Sequence, residues 1–585
     1  MLLDRLKYKF DQIMARGIYS QLGLLVIICL VLVSLATLAI YIFGSDIECY
    51  ESPVTSLPQL FWVTFLHTID PALVAGSTGN LAASLSFLAI TVAGLCTMGA
   101  LIGIISVGIE DRMDELRRGR SKIMERDHLV ILGWDNRVPE IVQDLAIAHN
   151  VANGRGRKPV IAILAVQDSL EIQEKLEDVD MMGSRLIVRR GSPIDPDDLD
   201  IVSACSGRCI IIPVPLSSTG DVKVIKTLLA LNNFMHGCLK HVVAELEEKE
   251  SYDLARSLFP DTNLVCADEI ISRIIAQSVL SPGLTEVYQS LLQFSGSEFY
   301  SFPVEDAHLA LGVMTFGELV LSCPSQVPIG IVTKDGSTYL MPEWDEEVVP
   351  GMRVITLSEE CTGLDLSVDR QVRIPSPGEL PAISRETGSV LVFCNRNKKL
   401  SYIRAYLEGR GFGIEVRSYP NSVARQDYGH DALILLADDD LPPHASDANI
   451  ITLLLKLRRL GLRANIVTEI LDPRNFELIW TARADDCIAS YQLSGYVLTQ
   501  AAYHSELLEV INMLLSVDSM MIRTRPVSEY MEQGTFQYLT IQAMARNEIA
   551  LGYFPNATDS PVVNPSKGAI VPCCEGAMAI VLSLS

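Results

Sequence analysis

The sequence predicts a membrane α-helical module near the start of the chain, followed by an α/β region in which one Rossmann-like unit occurs twice. Three observations predict this fold class. Two long uncharged apolar stretches lie within the first 111 residues. After them apolar strands alternate with amphipathic helices, which is typical of a doubly wound parallel sheet. That alternation returns about 260 residues further on, which indicates an internal duplication.

The composition limits the class of partner. Of the 585 residues, 49% are hydrophobic and 20% are charged, and the formal net charge is -24. A nucleic-acid-binding protein needs a basic face for the phosphates. The excess of acid therefore argues against nucleic acid as a partner.

Two segments are long enough to cross a membrane. Residues 22–43 are almost entirely apolar and residues 81–109 carry no charge; each exceeds the ~20 residues that span a ~30 Å hydrocarbon core. No Lys or Arg occurs between Gly17 and Asp111, whereas basic residues flank this window on both sides. The positive-inside rule places both termini in the cytoplasm. We therefore expect a multi-pass protein surrounded by membrane lipid, in the inner membrane of a bacterium.

A short aromatic segment lies between the two spans. Pro58–His67 is apolar and too short to cross the membrane, so that we expect a re-entrant pore helix in a membrane α-helical pore. The residues after it would form a selectivity filter. Its predicted members are Thr68, Ile69, Asp70, Pro71 and Gly76.

Asp70 has the central role in this prediction. At the C-terminal, negative end of the pore helix its carboxylate would recur around the pore axis as a ring that attracts cations. The alternative is an exposed loop on a two-helix anchor, with Asp70-Pro71 as a turn. The apolar character of the segment argues against that alternative. No TVGYG motif is present, so that potassium selectivity of the familiar kind does not follow.

The second span carries Gly94, Gly99, Gly103 and Gly108. A gating hinge is one use for such glycines, and close helix packing is the better interpretation of any single one. Residues 110–126 are charged and contain no Pro, so that we expect the second span to continue beyond the membrane as a helix.

The α/β region repeats its opening. His128-Leu-Val-Ile-Leu-Gly133 and Ser389-Val-Leu-Val-Phe-Cys394 are short apolar strands, each followed by a helical pattern. The further strands predicted for the first unit are 159–166, 185–188, 208–213 and 241–246, and its helices are 138–148, 197–204 and 221–234. The further strands predicted for the second unit are 413–417, 431–437 and 464–469, and its helices are 399–410 and 447–460. A doubly wound sheet binds ligands at the carboxyl ends of its strands.

This organisation resembles channels gated by RCK domains, which combine two transmembrane helices and a pore loop with tandem Rossmann-like RCK domains that each carry a small β-rich C-terminal lobe. Within that group the chain is most similar to the CASTOR/POLLUX ion channel family. The local matches are residues 116–121 (LRRGRS), 128–134 (HLVILGW), 208–213 (RCIIIP) and 468–474 (TEILDPR).

The resemblance implies a homotetramer whose eight RCK domains form a cytoplasmic ring. It also implies gating by a cytosolic ligand, with Ca²⁺ as the leading candidate. The permeant cation would be K⁺, Ca²⁺ or a mixture of monovalent cations, because the filter sequence TIDPALVAGSTG does not carry over the ion preference of the plant members.

Domain boundaries follow from these patterns. The predicted cytoplasmic N-terminus is 1–17. The predicted pore module, 18–111, comprises transmembrane helix 1 (about 20–43), the pore helix (about 57–67), the filter (about 68–79) and transmembrane helix 2 (about 81–109). The remaining predicted segments are a linker helix (112–126), the first RCK N-lobe (127–293) and C-lobe (294–361), a linker (362–387), and the second RCK N-lobe (388–527) and C-lobe (528–585).

The glycine pattern disfavours NAD as a cofactor. A phosphate-binding turn needs the G-x-G-x-x-G pattern, yet the first unit keeps only Gly133, followed by Trp134, and the second has none. Asp168 ends the second strand, where a ribose-binding acid would lie, but without the turn it carries little weight. Arg137, or Arg396 with Lys398, could meet a phosphate, although such loop cations are more often solvated.

A calcium site is the competing hypothesis. Asp438, Asp439 and Asp440 follow one strand of the second unit, and Glu469 and Asp472 follow the next. Carboxylates that converge at this edge could supply the oxygens that Ca²⁺ requires, with Asp438, Asp440 and Glu469 as metal ligands. A run of three acids is more often a solvated turn.

The sequence therefore predicts a ligand-gated cation channel rather than an enzyme. One alternative is a membrane-anchored oxidoreductase, which would need an intact glycine fingerprint. The other is a regulatory, nucleotide-sensing subunit of a separate transporter, which would lack its own pore loop.

Overall fold

The computed structural model describes most of the chain. The described residues are 18–43, 48–49, 52–53, 56–70, 77–78, 81–117, 121–153, 159–215, 217, 219–236, 241–294, 296–305, 314–359, 363–366, 388–420, 428–462, 464–504, 507–515, 520–556 and 559–584. The chain divides into two compact units, one up to Ser121 and one from Lys122 to Ser585. Pro71, Gly76, residues 1–17 and most of the predicted linker 362–387 lie outside the described residues.

The first unit contains three helices and three two-residue strands. The helices are α1 (Ile18–Phe43), α2 (Leu57–Ile69) and α3 (Leu81–Arg117). The strands are β1 (Glu48–Cys49), β2 (Ser52–Pro53) and β3 (Ser77–Thr78), in the order β2-β1-β3. By length and composition α1 and α3 can cross a membrane. Helices are thus present over both predicted spans and over the short segment between them.

The predicted helix over 110–126 is too long. Helix α3 ends at Arg117, and residues 121–126 are not helical. The cause is a contact within the second unit. The N–H of Ile123 donates to the carbonyl of Ile201 at 2.7 Å, and the side chain of Ile123 lies in the core of that unit. This stretch therefore belongs to the α/β region.

The first repeat begins with a six-stranded parallel sheet in the order β6-β5-β4-β7-β8-β9. Its strands are β4 (Leu129–Leu132), β5 (Val160–Ala165), β6 (Arg185–Arg190), β7 (Cys209–Ile212), β8 (Val242–Glu245) and β9 (Asn263–Val265). Its helices are α4 (Val138–Asn153), α5 (Ser169–Lys175), α6 (Pro196–Ile201), α7 (Gly220–Phe234), α8 (Lys249–Leu258), α9 (Ala267–Leu280) and α10 (Leu284–Leu292). This strand order is that of a Rossmann fold, in which helices cover both faces of the sheet. The central strands are apolar, whereas the edge strand β6 contains three arginines.

The second repeat has a five-stranded parallel sheet in the order β17-β16-β18-β19-β20. The strands are β16 (Ser389–Phe393), β17 (Gly413–Arg417), β18 (Ala432–Leu435), β19 (Asn465–Ile470) and β20 (Asp486–Ala489). The helices are α12 (Leu400–Gly409), α13 (Pro443–Arg459), α14 (Phe476–Thr481), α15 (Ser490–Tyr503) and α16 (Leu507–Leu514). The strands predicted for both repeats are confirmed to within two residues.

Each repeat ends in an antiparallel four-stranded lobe. The first lobe, of order β10-β15-β12-β13, also contains a strand pair and one helix: β10 (Glu298–Pro303), β11 (Met314–Thr315), α11 (Phe316–Ser322), β12 (Val327–Val332), β13 (Thr338–Leu340), β14 (Glu347–Val348) and β15 (Arg353–Ser358). The second lobe has the order β21-β24-β22-β23: β21 (Met520–Pro526), α17 (Phe536–Ala545), β22 (Ile549–Phe554), β23 (Val562–Val563) and β24 (Met578–Leu584).

The two lobes share an irregularity. The register shifts beside Gly330 in the first lobe and beside Gly552 in the second. A Cβ at Gly330 would lie 2.5 Å from the carbonyl oxygen of Tyr339, and one at Gly552 would lie 2.2 Å from that of Val562. Only glycine fits where the neighbouring backbone approaches this closely. The duplication therefore includes the lobes.

The two repeats also share a hydrophobic core. It includes Val142 of α4 and Ile274 of α9 in the first repeat, and Val497 of α15 in the second. The helices that follow each sheet are thus buried against the other repeat.

Candidate functional site

The short helix α2 is held between the two long helices of the first unit. Leu60 of α2 packs with Ile40 of α1 and Phe87 of α3. The buried ring of His67 stacks on Phe87 at 4.4 Å between ring centroids, and its Nδ1 lies 2.7 Å from the carbonyl oxygen of Val63. An apolar helix of 13 residues therefore ends inside the three-helix unit.

The C-terminal end of α2 meets α3 at a glycine. A Cβ at Gly94 would lie 2.1 Å from the carbonyl oxygen of Thr68. Around Gly99 and Gly103 no described atom would lie within 4 Å of such a Cβ. Close packing is therefore the use of Gly94 in this unit.

The predicted filter begins where α2 ends. Thr68 and Ile69 form the last turn, and the N–H of Asp70 donates to the carbonyl of Leu66 at 2.8 Å. Asp70 is exposed, with an extended backbone. The helix thus presents this carboxylate just beyond its C-terminal end, while Pro71 and Gly76 lie outside the described residues.

In the first repeat the crevice at the carboxyl ends of the strands contains a buried ion pair. Arg137, in the turn after β4, donates through Nη1 to Oε1 of Glu245 at 2.8 Å and through Nη2 to Asp135 at 2.8 Å. Nη2 also donates to the carbonyl of Val214. Arg137 is 4% exposed and Glu245 is 1% exposed. Burial opposes the charge of Arg137, but the Glu245 and Asp135 carboxylates outweigh it and raise its pKa above the ordinary value.

The second repeat has the corresponding ion pair at the same place. Lys399, in the turn after β16, lies 3.2 Å from Oε1 of Glu469 and 3.1 Å from Oδ1 of Asp268. Lys399 is 5% exposed and Glu469 is 1% exposed. Burial again opposes the charge, and these two carboxylates raise the pKa of Lys399 above its ordinary value.

The backbone contacts of the two glutamates also match. The N–H of Val214 donates to Oε2 of Glu245 at 3.0 Å, and that of Ala437 donates to Oε2 of Glu469 at 3.0 Å. Each cation lies in a turn that its own backbone N–H closes. The N–H of Arg137 donates to the side chain of Asp135 and the N–H of Lys399 donates to the side chain of Asn397, both at 2.8 Å. The duplication is therefore visible in individual hydrogen bonds.

Each ion pair is completed by the other repeat. Ser494 of α15 donates to Glu245 at 2.7 Å, and Asp268 of α9 pairs with Lys399. A buried charge needs partners for all of its hydrogen-bonding groups. Each repeat therefore supplies a hydrogen-bonding or charged partner that the buried ion pair of the other repeat requires.

Arg137 is not a solvated loop cation, so that part of the sequence prediction is wrong. Its partner Glu245 lies 108 positions away along the chain, so that the local sequence does not reveal the ion pair. Arg396 and Lys398 are more exposed and pair with Asp440 and Glu247 respectively.

The sequence reasoning also missed Glu245, Lys399 and Asp268. One signal could have revealed the first two. Aligning the repeats shows a cation directly before the first helix of each, and a glutamate near the end of a buried strand, in VVAE245 and IVTE469.

The predicted ligand-binding acids are only partly brought together. Asp438 accepts from Asn395 at 3.1 Å, Asp439 accepts from the N–H of Lys398 at 2.8 Å, and Asp440 pairs with Arg396 at 2.9 Å. Burial raises the pKa of Asp439. Each acid of this run thus has its own donor.

The other predicted acids lie in similar local arrangements. Asp472 pairs with Arg474 at 2.7 Å, and the hydrogen bonds from Arg474 lower the pKa of Asp472. Asp168 caps α5 by accepting from the N–H of Leu170 at 2.9 Å. Glu469 faces Lys399. Among the described residues, no three or more His, Cys, Asp or Glu side chains are grouped in a way that could hold a metal ion.

Comparison with known proteins adds a family. The family described as "Castor and Pollux, part of voltage-gated ion channel" matches residues 268–371. The protein named "Probable ion channel POLLUX" of Oryza sativa subsp. japonica is 24% identical over 97% of this chain and 65% of its own length. This chain therefore spans about two thirds of the length of that relative. The resemblance found in the sequence is confirmed.

Two further proteins are similar to this chain, one in sequence and one in fold. The "Calcium-gated potassium channel TvoK" of Thermoplasma volcanium (strain ATCC 51530 / DSM 4299 / JCM 9571 / NBRC 15438 / GSS1) is 22% identical over 46% of this chain and 73% of its own length. The structure titled "Structure of the human SLO3 gating ring" superposes with a TM-score of 0.57 at 14% identity, covering 78% of this chain and 99% of that one. The predicted fold class is confirmed.

Proposed function

We propose that this chain, which belongs to the CASTOR/POLLUX ion channel family, is the subunit of a ligand-gated cation channel. The observation that carries the proposal is the short helix α2, which ends between two membrane-length helices and presents Asp70 at its C-terminal end. A helix of this kind aims its negative end at the place where cations would pass. The relatives named as ion channels support the same function.

The proposed pore requires several copies of the chain. One copy supplies one α2 and one Asp70, and a central path needs a closed ring of subunits. We propose a homotetramer with its tandem repeats in a cytoplasmic ring and both termini in the cytoplasm. The open faces at Gly99 and Gly103 of α3 suit contact with another helix, since small residues allow close approach in membranes.

The permeant ion is proposed to be K⁺, Ca²⁺ or a mixture of monovalent cations. The filter is proposed to contain Thr68, Ile69, Asp70, Pro71 and Gly76. A ring of carboxylates attracts both monovalent and divalent cations. Asp70 therefore supports a preference for cations without selecting one of them.

Gating is proposed to follow ligand binding to the α/β region. A ligand can shift the channel only by the difference in its affinity for the two arrangements. Calcium is the proposed ligand, because TvoK carries that description and the acids at 438–440 remain candidates for a hard-cation site. In this proposal Asp438, Asp440 and Glu469 would have to exchange their present partners for the metal.

NAD is a less favourable ligand for these crevices. Arg137 and Lys399 fill the turns that would approach a pyrophosphate, and each is committed to buried carboxylates. The same observation supports the proposal that the chain is not an oxidoreductase. The alternative of a transporter regulator is disfavoured by α2 itself, which a regulator would not need.

We propose that the protein lies in a membrane, and we assign it to no particular kind of organism. The expectation of a bacterial inner membrane finds no support in the relatives described above, which come from a plant and Thermoplasma volcanium. A multi-pass protein with two spans remains the proposal.

The variant Asp70→Asn tests the proposed pore directly. Loss of the carboxylate ring should lower single-channel cation conductance severalfold in planar bilayers, because fewer cations gather at the filter. Asp178→Asn, at an exposed turn of the α/β region, is the matched control and should conduct normally. Unchanged conductance in Asp70→Asn would remove this residue from the filter.

A further inference from the structure

A cavity of about 200 Å³ lies between the two repeats, and its lining includes no residue of either buried ion pair. Helices α8 and α9 of the first repeat, together with β9 and Cys266 between them, form most of it, and α16 of the second repeat closes one side with Leu508 and Asn512. This volume is below the roughly 300–1,000 Å³ of pockets that take drug-sized ligands. A small metabolite is the size of ligand that fits.

The cavity has an apolar side and a charged side. Leu264, Ile270 and Leu508 are nearly fully buried and line the apolar side. Glu269 and Arg273, whose side chains are 20% and 22% exposed, line the charged side. Such a division suits a molecule with a small apolar body and a charged head.

Arg273 has hydrogen-bonding capacity to spare. Its Nη2 donates to Oε1 of Glu269 at 2.5 Å. Its Nε and Nη1 donate no hydrogen bond to any residue that the structure describes. A free N–H of a guanidinium forms a strong, charge-assisted hydrogen bond with a carboxylate.

Next to Arg273, Glu269 offers its second carboxylate oxygen, Oε2, as a hydrogen-bond acceptor. Its Oε2 lies 4.0 Å from Nζ of Lys249, which is too far for a hydrogen bond. Nζ of Lys249 also lies 3.6 Å from Oδ1 of Asp253 and 4.8 Å from the centre of the Tyr252 ring. Two cations, Lys249 and Arg273, and one carboxylate, Glu269, line the cavity, so that it offers cationic donors beside one anionic acceptor.

We propose that this cavity binds a small zwitterion, namely an α-amino acid with an apolar side chain. The carboxylate of the ligand would accept from Nη1 of Arg273, and its ammonium would donate to Oε2 of Glu269. Its side chain would lie on Leu264, Ile270 and Leu508. Because both repeats line the cavity, occupancy favours the arrangement of repeats that closes around the ligand.

The consequence for gating depends on the proposed channel function, whereas binding does not. The ligand would act beside the proposed Ca²⁺ site as a second effector. The two effects are coupled only through the arrangement of the repeats, so that each ligand would change the affinity of the protein for the other by the same factor.

The test uses the full chain in lipid nanodiscs and L-valine as the probe, followed by isothermal titration calorimetry. Two half-ligands separate the two contacts: 3-methylbutanoate lacks the ammonium and isobutylamine lacks the carboxylate. We expect both to bind at least tenfold more weakly than valine. Equal binding of either half-ligand would overturn the zwitterion assignment.

Variants connect the binding to the cavity. Arg273→Gln should weaken valine binding at least tenfold, and Glu269→Gln should abolish the preference for valine over 3-methylbutanoate. Arg256→Gln, on the exposed face of α8, is the matched control and should bind valine normally. If Arg273→Gln fails to fold, Glu269→Gln, which keeps the shape of the side chain, decides the question. Absence of valine binding, or binding that neither variant changes, would contradict the site.

A current measurement separates this proposal from the channel function. Valine should shift the open probability of the channel in a bilayer, and Glu269→Gln should remove the shift. Conduction without any effect of valine would contradict the effector role and leave the channel intact. If the protein does not conduct at all, the proposed function fails, whatever valine binding shows.

Discussion

The two repeats close equivalent crevices with different cations. In the first repeat the guanidinium of Arg137 alone reaches both Glu245 and the carbonyl of Val214. In the second repeat Lys399 reaches Glu469, and the neighbouring Asn397 donates to the carbonyl of Ala437 at 2.9 Å in its place.

The difference follows from the chemistry of the two side chains. A guanidinium offers five donors in a planar fork, whereas an ammonium is a compact point charge. Asn397 supplies the donor that the ammonium cannot aim at the carbonyl, and it also donates to Glu469 at 2.8 Å. The two contacts that Arg137 makes in the first repeat are thus made by two residues, Lys399 and Asn397, in the second.

The strongest way to break this equivalence is to remove either cation. Arg137→Met and Lys399→Met should each lower the free energy of unfolding of the α/β region by about 3–5 kcal/mol, because a buried carboxylate is left without its partner. Denaturant titration of the full chain measures the change. The exposed Arg404→Met, which removes only a surface contact with Glu408 at 3.8 Å, should be near neutral.

A double variant sharpens that result. In Arg137→Met with Glu245→Gln the buried carboxylate of Glu245 is no longer left unpaired, so that part of the lost stability should return, whereas Asp135 still lacks its partner. Additive losses would show that Arg137 and Glu245 act independently, contrary to the contact between them.

The two lobes provide a second comparison of the repeats, at the equivalent residues Gly330 and Gly552. Gly330→Ala and Gly552→Ala should each destabilise by about 1–3 kcal/mol, because the new methyl group overlaps a strand carbonyl. The effect should be larger at Gly552, where the approach is closer. Thermal unfolding measures both, and Gly296→Ala and Gly568→Ala, where a Cβ meets nothing within 4 Å, are the controls. Equal stability of all four variants would contradict the close approach.

Two buried carboxylates between the repeats predict a dependence on pH. Burial, with Glu140 beside it, raises the pKa of Asp144 to about 8; on the facing helix α15 lie Gly495 and Tyr496. Burial raises the pKa of Asp486 to about 7.

The surroundings of Asp486 include groups of both repeats. From the first repeat the N–H of Gly283 donates to it at 2.9 Å, and Thr285 and Glu286 face it. On its own strand edge Asp485 adds a like charge.

The sign of the pH effect is fixed by these shifts. In the unfolded chain both groups lose their protons near pH 3.8, whereas in the folded chain they keep them until pH 7 to 8. Stability from these groups is therefore complete below pH 3.8 and falls by about 1.4 kcal/mol per group for each pH unit up to the folded pKa. Above that pKa it falls no further.

Substitution of these two acids tests the pH effect. Asp144→Asn and Asp486→Asn should each flatten the decline of the unfolding temperature between pH 5 and pH 7, relative to the unmodified chain. Asp178→Asn, which is exposed, should leave the decline unchanged. A decline that persists in both buried variants would show that other groups cause it.

The comparison of repeats also shows what a sequence can predict. Strands such as Val160–Ala165 are apolar along their whole length and were located to within one residue. Helix α15, Ser490–Tyr503, was missed because it is buried almost all round and has no polar face to reveal its period.

The crevice contacts were beyond the sequence for a different reason. Asp268 and Lys399 lie 131 positions apart in chain order, and Ser494 reaches Arg137 across 357 positions. Local pattern carries no information on such pairs, because the packing of one repeat on the other brings them together. Asp70 differs, since its place after a short apolar helix can be read from neighbouring residues alone.

The most direct test of the central claim is the reversal potential of the unmodified protein in a planar bilayer. With a tenfold gradient of KCl across the bilayer, we predict single-channel currents that reverse near the equilibrium potential of K⁺. Currents that reverse near the equilibrium potential of Cl⁻, or the absence of current with every cation and ligand tried, would contradict a cation channel built around α2 and Asp70.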